Sequence, residues 1–434
     1  MTTIPQLLVA ATNSGCGKTT FTLGLLRLLR RRGLEVAGFK CGPDYIDPKF
    51  HQLASGRESI NLDLYMMSPE HVGSTYARYS QGADAIVVEG VMGLYDGSEK
   101  MQGSPAEIAK LLDIPVVLLV NAASSAYSVG AIIYGYKHWQ PGVRIVGVVF
   151  NRVASENHYS FLADAARDAG VESLGYIPRT QSLEVPSRHL GLSLEELARL
   201  DAFPDQVADL LEAHVDIARL LELCASPSPQ VIEEQRPEPS AHSMRIAVAR
   251  DEAFNFSYPE NIRALERLGA VCYFSPLRDA TLPECELLYL PGGYPEFYLD
   301  RLSANSAMRS SIRDYAEAGG RILAECGGMM YLTRAIIDED GSSYPMCGIL
   351  DNAATMQGMK LSLGYRCVRT KALELRGHEF HYSRLTEAGS EAVVAEQFGA
   401  KGNKVPTALY RYRNVLAGYT HLYWAEQDIL ALWE

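Results

Sequence analysis

Two stretches of this chain combine residue types and spacings that can do chemistry. The first, ATNSGCGKTT from Ala11 to Thr20, lies between an apolar run and an amphipathic one. Gly15 and Gly17 let the backbone approach phosphate oxygens, Lys18 can reach the outer phosphates, and Thr19 can set a hydroxyl on magnesium. A helix opening at this point adds unpaired N–H groups and a positive dipole end. The spacing departs from G-x-x-x-x-G-K-[ST] at its first glycine, which is Thr12 here. The second stretch, RILAECGGMMYL, puts Cys326 where an apolar strand meets a helix, with Ala324 and Gly328 two positions to either side. That is the layout of a nucleophile elbow, in which the N–H of the next residue, Gly327, helps to hold an oxyanion. Upstream, LLYLPGGYPE ends a strand in Gly292 and Gly293, and Gly293 is the candidate second donor. A thiol at a helix N-terminus is expected to have a lowered pKa. It needs a base, and His421 in GYTHLYW is the candidate.

Acidic partners for a magnesium ion should lie where strands of an open α/β sheet end. CGPDYIDP offers Asp44 and Asp47, and VVEGVMGLYDG offers Glu89 and Asp96. Glu89 directly follows apolar strand residues, the position from which P-loop enzymes hold their metal. Lys40, closing its own strand, adds positive charge near the transferred phosphoryl group. Thr19, Asp44 and Glu89 are therefore the expected metal ligands, with Lys40, Asp47 and Asp96 near the phosphoryl group or substrate. His378 and His381 in RGHEFHYS are the closest histidine pair, and two imidazoles do not make a metal site. They read as structural or substrate-contacting. The other cysteines, at 16, 41, 224, 272, 285, 347 and 367, read as packing residues.

These groups need a scaffold. Strands are expected at Gln6 to Ala11, Val36 to Lys40, Ala85 to Gly90, Pro115 to Asn121, Ile145 to Asn151 and Leu174 to Pro178, with helices between them. The helix after the phosphate loop runs from Lys18 to Arg32, with Phe21, Leu25, Leu28 and Leu29 at helical spacing and Gly33 as its stop. Continuously apolar strands separated by helices imply a doubly wound parallel sheet covered on both faces. Residues 224–243, CASPSPQVIEEQRPEPSAHS, are rich in Pro, Ser and Glu and read as a linker. It joins a first domain, 1–223, to a second, 244–434. There the alternation restarts, with strands at Arg245 to Ala249, Val271 to Phe274, Leu287 to Leu290 and Arg321 to Glu325 and helices at Pro259 to Leu268 and Ser306 to Ala318. Beyond Tyr331 the pattern becomes Gly-interrupted and β-rich, at Gly348 to Met356, Leu363 to Thr370 and Ala408 to Tyr412. The fold class is α/β throughout.

Composition bounds what such a protein can do. At 434 residues and 47% apolar, the chain can build two substantial cores. A net charge of -12 argues against nucleic acid or an anionic membrane as partner, since both need a clustered positive surface. An acidic substrate would require a local basic groove. No window reaches the roughly 18 apolar residues of a membrane span, and the N-terminus lacks a charged segment before its apolar run. Single cysteines without CxxC spacing indicate neither a disulfide framework nor a zinc site, and a reducing cytoplasm is the expected location.

Taken in order, ATNSGCGKTT, KCGPDYIDP, VVEGVMGLYDG, LPGGYPE, AECGGMMYL, RGHEFHYS and GYTHLYW resemble the cobyrinic acid a,c-diamide synthase family over essentially the whole chain. The first half is similar to the dethiobiotin-synthetase type of P-loop domain and the second to a class I glutamine amidotransferase domain. The resemblance implies that Cys326 is the glutaminase nucleophile and His421 its base. It implies that Gly15, Gly17, Lys18, Thr19 and Thr20 bind ATP, with Asn151 and Pro178 at the adenine. Related domains of the triad type carry a Glu two residues after the histidine. Here that place is Tyr423, in keeping with the cobalamin branch, which leaves Glu379 as a candidate for orienting His421. The implied substrates are a corrinoid polycarboxylate, ATP and L-glutamine, with Mg2+ as cofactor, and the reaction is amidation of the a and c carboxylates through acyl phosphates. Hydrogenobyrinic acid and nickel-sirohydrochlorin synthases share the architecture, and cobyric acid synthase differs in motifs and length. From a different class, a partition-type ATPase switch would use the P-loop but has no use for the thiol.

Overall fold

The computed structural model describes residues 3–180, 202–230, 244–386 and 392–434. The chain divides into two compact units, Met1–Glu233 and Glu234–Glu434.

The first unit carries strands β1 (Thr3–Ala11), β2 (Val36–Cys41), β3 (Ile60–Leu62), β4 (Ala85–Glu89), β5 (Val116–Asn121), β6 (Ile145–Val153), β7 (Glu172–Pro178) and β8 (Ala225–Pro227). They form one sheet in the order β3-β2-β4-β1-β5-β6-β7, parallel at every step. The apolar runs read from the sequence are its central strands, because a parallel sheet hidden on both faces has no polar side to alternate with. The helix Lys18–Arg31 buries Phe21, Leu25, Leu28 and Leu29, and these pack with Leu7, Val9, Val87 and Leu119 of the sheet. It ends at Arg32, after which Gly33 takes a φ of 81°.

One expectation needs correction. Residues 225–227, read as the start of a linker, form β8 and pair antiparallel with Thr3–Pro5. Polar contacts hold them: Gln6 Nε2 donates to the carbonyls of Ser226 (3.2 Å) and Pro227 (2.7 Å). A strand fixed by backbone and amide hydrogen bonds leaves no apolar pattern to read. Residues 231–243 of the expected linker lie outside the described residues.

In the second unit the strands are β9 (Met244–Ala249), β10 (Gly269–Phe274), β11 (Leu287–Leu290), β12 (Arg321–Glu325), β13 (Ala335–Ile337), β14 (Ser343–Pro345), β15 (Ala353–Thr355), β16 (Ser362–Arg369), β17 (Glu374–His381), β18 (Arg384–Leu385), β19 (Ala392–Gly399), β20 (Lys404–Tyr412), β21 (Val415–Gly418) and β22 (His421–Tyr423). The main sheet runs β10-β9-β11-β12-β21-β20-β19-β16-β17-β22. Its first five strands are parallel and the rest join antiparallel. A small sheet, β14-β13-β15-β18, stands apart. Of the β-rich segment expected over Gly348 to Met356, only Ala353–Thr355 is strand. Among the described residues no helix is long and apolar enough to cross a membrane.

Candidate active sites

In the first unit the phosphate loop leaves β1 and enters the helix at Lys18. Gly15 and Gly17 adopt φ of 76° and 96°, conformations that only glycine takes without strain. A methyl group on Gly17 would lie 2.2 Å from Asn151 Nδ2. That amide donates to the Cys16 carbonyl at 2.7 Å, while Asn151 Oδ1 accepts the N–H of Arg152 at 2.8 Å. Asn151, at the end of β6, therefore braces the loop from beneath. Lys18 is folded back, its Nζ donating to the carbonyls of Met92 and Asn13. Pro178 ends β7 and pairs with Val153. Thr20 lies in the first turn of the helix.

Beneath the loop the expected acids separate into two groups. Glu89 and Lys40, both at strand ends, meet at 2.8 Å. Thr19 Oγ1 donates to Glu89 Oε1 at 2.6 Å. The helix Asp47–Ser55 turns Asp47 and His51 to this same place, because positions four apart share a helical face. Asp47 sits 2.6 Å from Lys40 Nζ, and His51 Nε2 lies 2.7 Å from Glu89 Oε2. His51 Nδ1 is 3.0 Å from the hydroxyl of Ser59. Lys40, Asp47, His51 and Glu89 are all buried. Burial alone would neutralise Glu89, but Lys40 and His51 outweigh it and hold the carboxylate well below its usual range. Burial likewise opposes the Lys40 charge, and Asp47, Glu89 and Asp44 together keep it raised.

Asp44 and Asp96 instead shape turns. Asp44 Oδ1 accepts the N–H groups of Ile46 (2.8 Å) and Asp47 (2.9 Å). Exposed Asp96 accepts that of Gly93 at 2.9 Å. Among the described residues no three His, Cys, Asp or Glu side chains cluster as a metal cage. A hydroxyl beside a carboxylate, all oxygen donors, nevertheless fits Mg2+, which keeps waters and phosphate oxygens as most of its ligands.

In the second unit the strand β12 runs into Cys326, whose φ of 46° and ψ of -107° are those of a strained elbow. The turn is pinned by Cys326 N–H donating to the Gly418 carbonyl at 2.7 Å. A methyl group on Gly328 would come within 2.2 Å of the Leu290 carbonyl oxygen. On Gly327 it would stand 3.1 Å from Gly293 N and 2.8 Å from Pro295 Cδ. The two candidate oxyanion residues therefore abut. At the next residue, a methyl on Gly292 would lie 2.1 Å from His421 Cε1. Thiol turn, glycine pair and imidazole form one contiguous site.

Its electrostatics correct one expectation. Burial pushes the Cys326 thiol well above its ordinary value, and the carboxylates of Glu296, Glu379 and Glu325 push the same way against the opposing Gly327 N–H. The six-residue helix Gly327–Leu332 does not offset this, so the resting group is a neutral thiol. Burial, with the nearby His378 and His381, also drives His421 well below its usual range despite Glu379. The site thus holds a neutral thiol and a neutral imidazole.

Sequence reasoning missed four residues of these sites. His51 carried a signal, its i+4 spacing from Asp47. Buried Glu325 and half-buried Glu296, whose carboxyls desolvation pushes up to about 8 and about 7, and Tyr258 beside His378 did not. Of the cysteines read as packing, Cys272 is exposed and Cys285 half-buried.

Comparison with known families follows the same division. Residues 7–192 match the CobQ/CobB/MinD/ParA nucleotide binding domain, and residues 245–429 match the CobB/CobQ-like glutamine amidotransferase domain. The chain is 40% identical over 426 residues to hydrogenobyrinate a,c-diamide synthase of Brucella abortus, covering 96% of this chain and 97% of that one. It is 39% identical over 433 residues to cobyrinate a,c-diamide synthase of Priestia megaterium, covering 96% and 94%. It is 41% identical over 476 residues to the hydrogenobyrinate enzyme of Streptomyces coelicolor, covering 99% and 96%.

Proposed function

The chain belongs to the cobyrinate and hydrogenobyrinate a,c-diamide synthase family, and from that premise we propose that it amidates the a and c carboxylates of cobyrinate, using ATP and glutamine. The observation that supports this reading is that two groups of residues suited to these chemistries occur on one chain. One is a phosphate loop set over the Thr19–Glu89–Lys40 group. The other is an elbow thiol contiguous with His421 through Gly292 and Gly293.

A carboxylate resists attack by ammonia because oxide is a poor leaving group. Transfer of the ATP γ-phosphoryl group gives an acyl phosphate, from which ammonia displaces phosphate. In the first unit the loop amides and Lys18 bind the phosphates, while Asn151 and Pro178 border the adenine. Lys40, held charged by Asp47 and Glu89, stabilises charge on the transferred group. Thr19 and Glu89 would hold Mg2+, which when bound neutralises phosphate charge.

In the second unit His421 takes the Cys326 proton as sulfur attacks the glutamine amide carbon. The N–H groups of Gly327 and Gly293 hold the oxyanion, and His421 returns the proton to the departing ammonia. Water then releases glutamate from the thioester. Because both partners start neutral, proton transfer is coupled to attack. Relatives named for cobyrinate and hydrogenobyrinate stand at nearly equal identity, so hydrogenobyrinate is the second reading. A switch ATPase would leave the residues matching the amidotransferase domain, 245–429, without use.

The test incubates the protein with ATP, Mg2+, glutamine and each macrocycle, following the mass loss of each OH-to-NH2 exchange. Two exchanges on cobyrinate are expected. Cys326→Ser should abolish amidation from glutamine and spare amidation from ammonia, whereas equal loss with both nitrogen sources would contradict the division of labour.

A further inference from the structure

We infer that His378, fixed by Tyr258, is the positioning residue that orients His421 during glutamine hydrolysis, an inference that rests on the glutaminase reading above. A base that activates a thiol must itself be held by a third group. The nearby carboxylates have other work: Glu379 accepts from Arg366 (2.8 Å), Ser362 (3.2 Å) and Thr420 (2.9 Å), and Glu325 from Tyr289 (2.8 Å) and Leu422 N–H (3.1 Å).

What faces His421 is another imidazole. His378 is its cross-strand partner in the β17–β22 ladder, and the two rings stack at 5.1 Å with planes 18° apart. His378 Nδ1 lies 2.9 Å from the Tyr258 hydroxyl. The Tyr258 ring meets Tyr423 edge-on at 5.4 Å, and Tyr423 stands two residues beyond His421. The result is a chain of contacts in which Tyr423 packs on Tyr258, Tyr258 holds His378, and His378 holds the plane of His421. All four side chains are buried, none more than 5% exposed. The strand beneath is clamped as well, with Asn261 donating to the Leu422 carbonyl at 2.8 Å and accepting from Trp424 N–H at 3.0 Å. Unlike a carboxylate, a stacked ring can fix orientation without charging the base.

The test measures glutamine hydrolysis by the full-length protein and its His378→Ala, His378→Phe and Tyr258→Phe variants, with circular dichroism and thermal unfolding as the folding control. His378→Ala should lower kcat by about tenfold or more with KM little changed, as expected for a misplaced base. His378→Phe, which keeps a flat ring, should retain more activity than the alanine variant, and Tyr258→Phe should show a smaller loss, also in kcat. If the alanine variant fails the folding control, the two phenylalanine variants decide alone. Unchanged kcat in the decisive variants, or a change confined to KM, overturns the inference while the glutaminase reading stands. Absence of glutamine hydrolysis in the unsubstituted chain overturns both.

Discussion

Glu325 shows how one buried side chain couples the thiol turn to stability. It precedes Cys326 and anchors the N–H of Leu422, the neighbour of His421, at 3.1 Å. Burial pushes its carboxyl from 4.5 up to about 8. Between those values the folded chain keeps a proton that the unfolded chain has lost, so this group makes stability fall as pH rises from about 4.5 to 8. Glu325→Gln keeps an acceptor for Leu422 and cannot ionise. Thermal unfolding from acid to mildly alkaline pH should therefore decline less steeply in the variant, and matching slopes would show that the carboxyl ionises freely in the fold. Individual residues were unevenly legible in the sequence. Cys326, Lys18 and Glu89 stood out because glycine spacing or an apolar run marked them. Nothing in the order of residues separates His378, stacked on the base, from a histidine that merely fills a core. The thiol misled for a related reason: the helix it begins was visible, whereas the carboxylates gathered around it by tertiary packing were not.

Strand ends position both sites, and glycine decides how closely neighbours approach there. Gly292 follows β11 and faces the His421 ring with no room for a methyl group. Gly292→Ala should displace the imidazole and cut glutamine hydrolysis by about a hundredfold, the scale of a misplacement of one ångström. Amidation from added ammonia should persist, and assaying both nitrogen sources on one preparation checks this; intact hydrolysis would mean that the ring can move aside. At this scale the parallel strands were the most legible elements, since burial on both faces leaves unbroken apolar runs such as Leu287–Leu290 and the four residues before Glu89. The antiparallel strands were less so. Glu374–His381 alternates exposed and buried positions only as far as Gly377, whose missing side chain lets the His421 carbonyl approach, and the alternation breaks at buried His378. Ala225–Pro227 was hidden within a composition that resembles a linker.

Two cores on one chain raise the question of why the thiol site and the phosphate site are joined at all. Ammonia released into neutral water is mostly protonated, and ammonium has no lone pair with which to attack an acyl phosphate. Covalent linkage has value if the nitrogen made by one unit reaches the other of the same chain before it is protonated. Mixing two variants tests this. Lys18→Ala should disable phosphoryl transfer and keep the thiol site, since Lys18 belongs to the first unit, while Cys326→Ser does the reverse. Given ATP, glutamine and macrocycle near neutral pH, the equimolar mixture should amidate far more slowly than the unsubstituted chain at matched site concentration. An ammonium salt at raised pH should restore the Cys326→Ser partner, proving its ATP site sound, and direct measurement of glutamate release should do the same for the other. A mixture as fast as the intact chain would mean that ammonia passes through solvent, and that the fusion serves stoichiometry and not delivery.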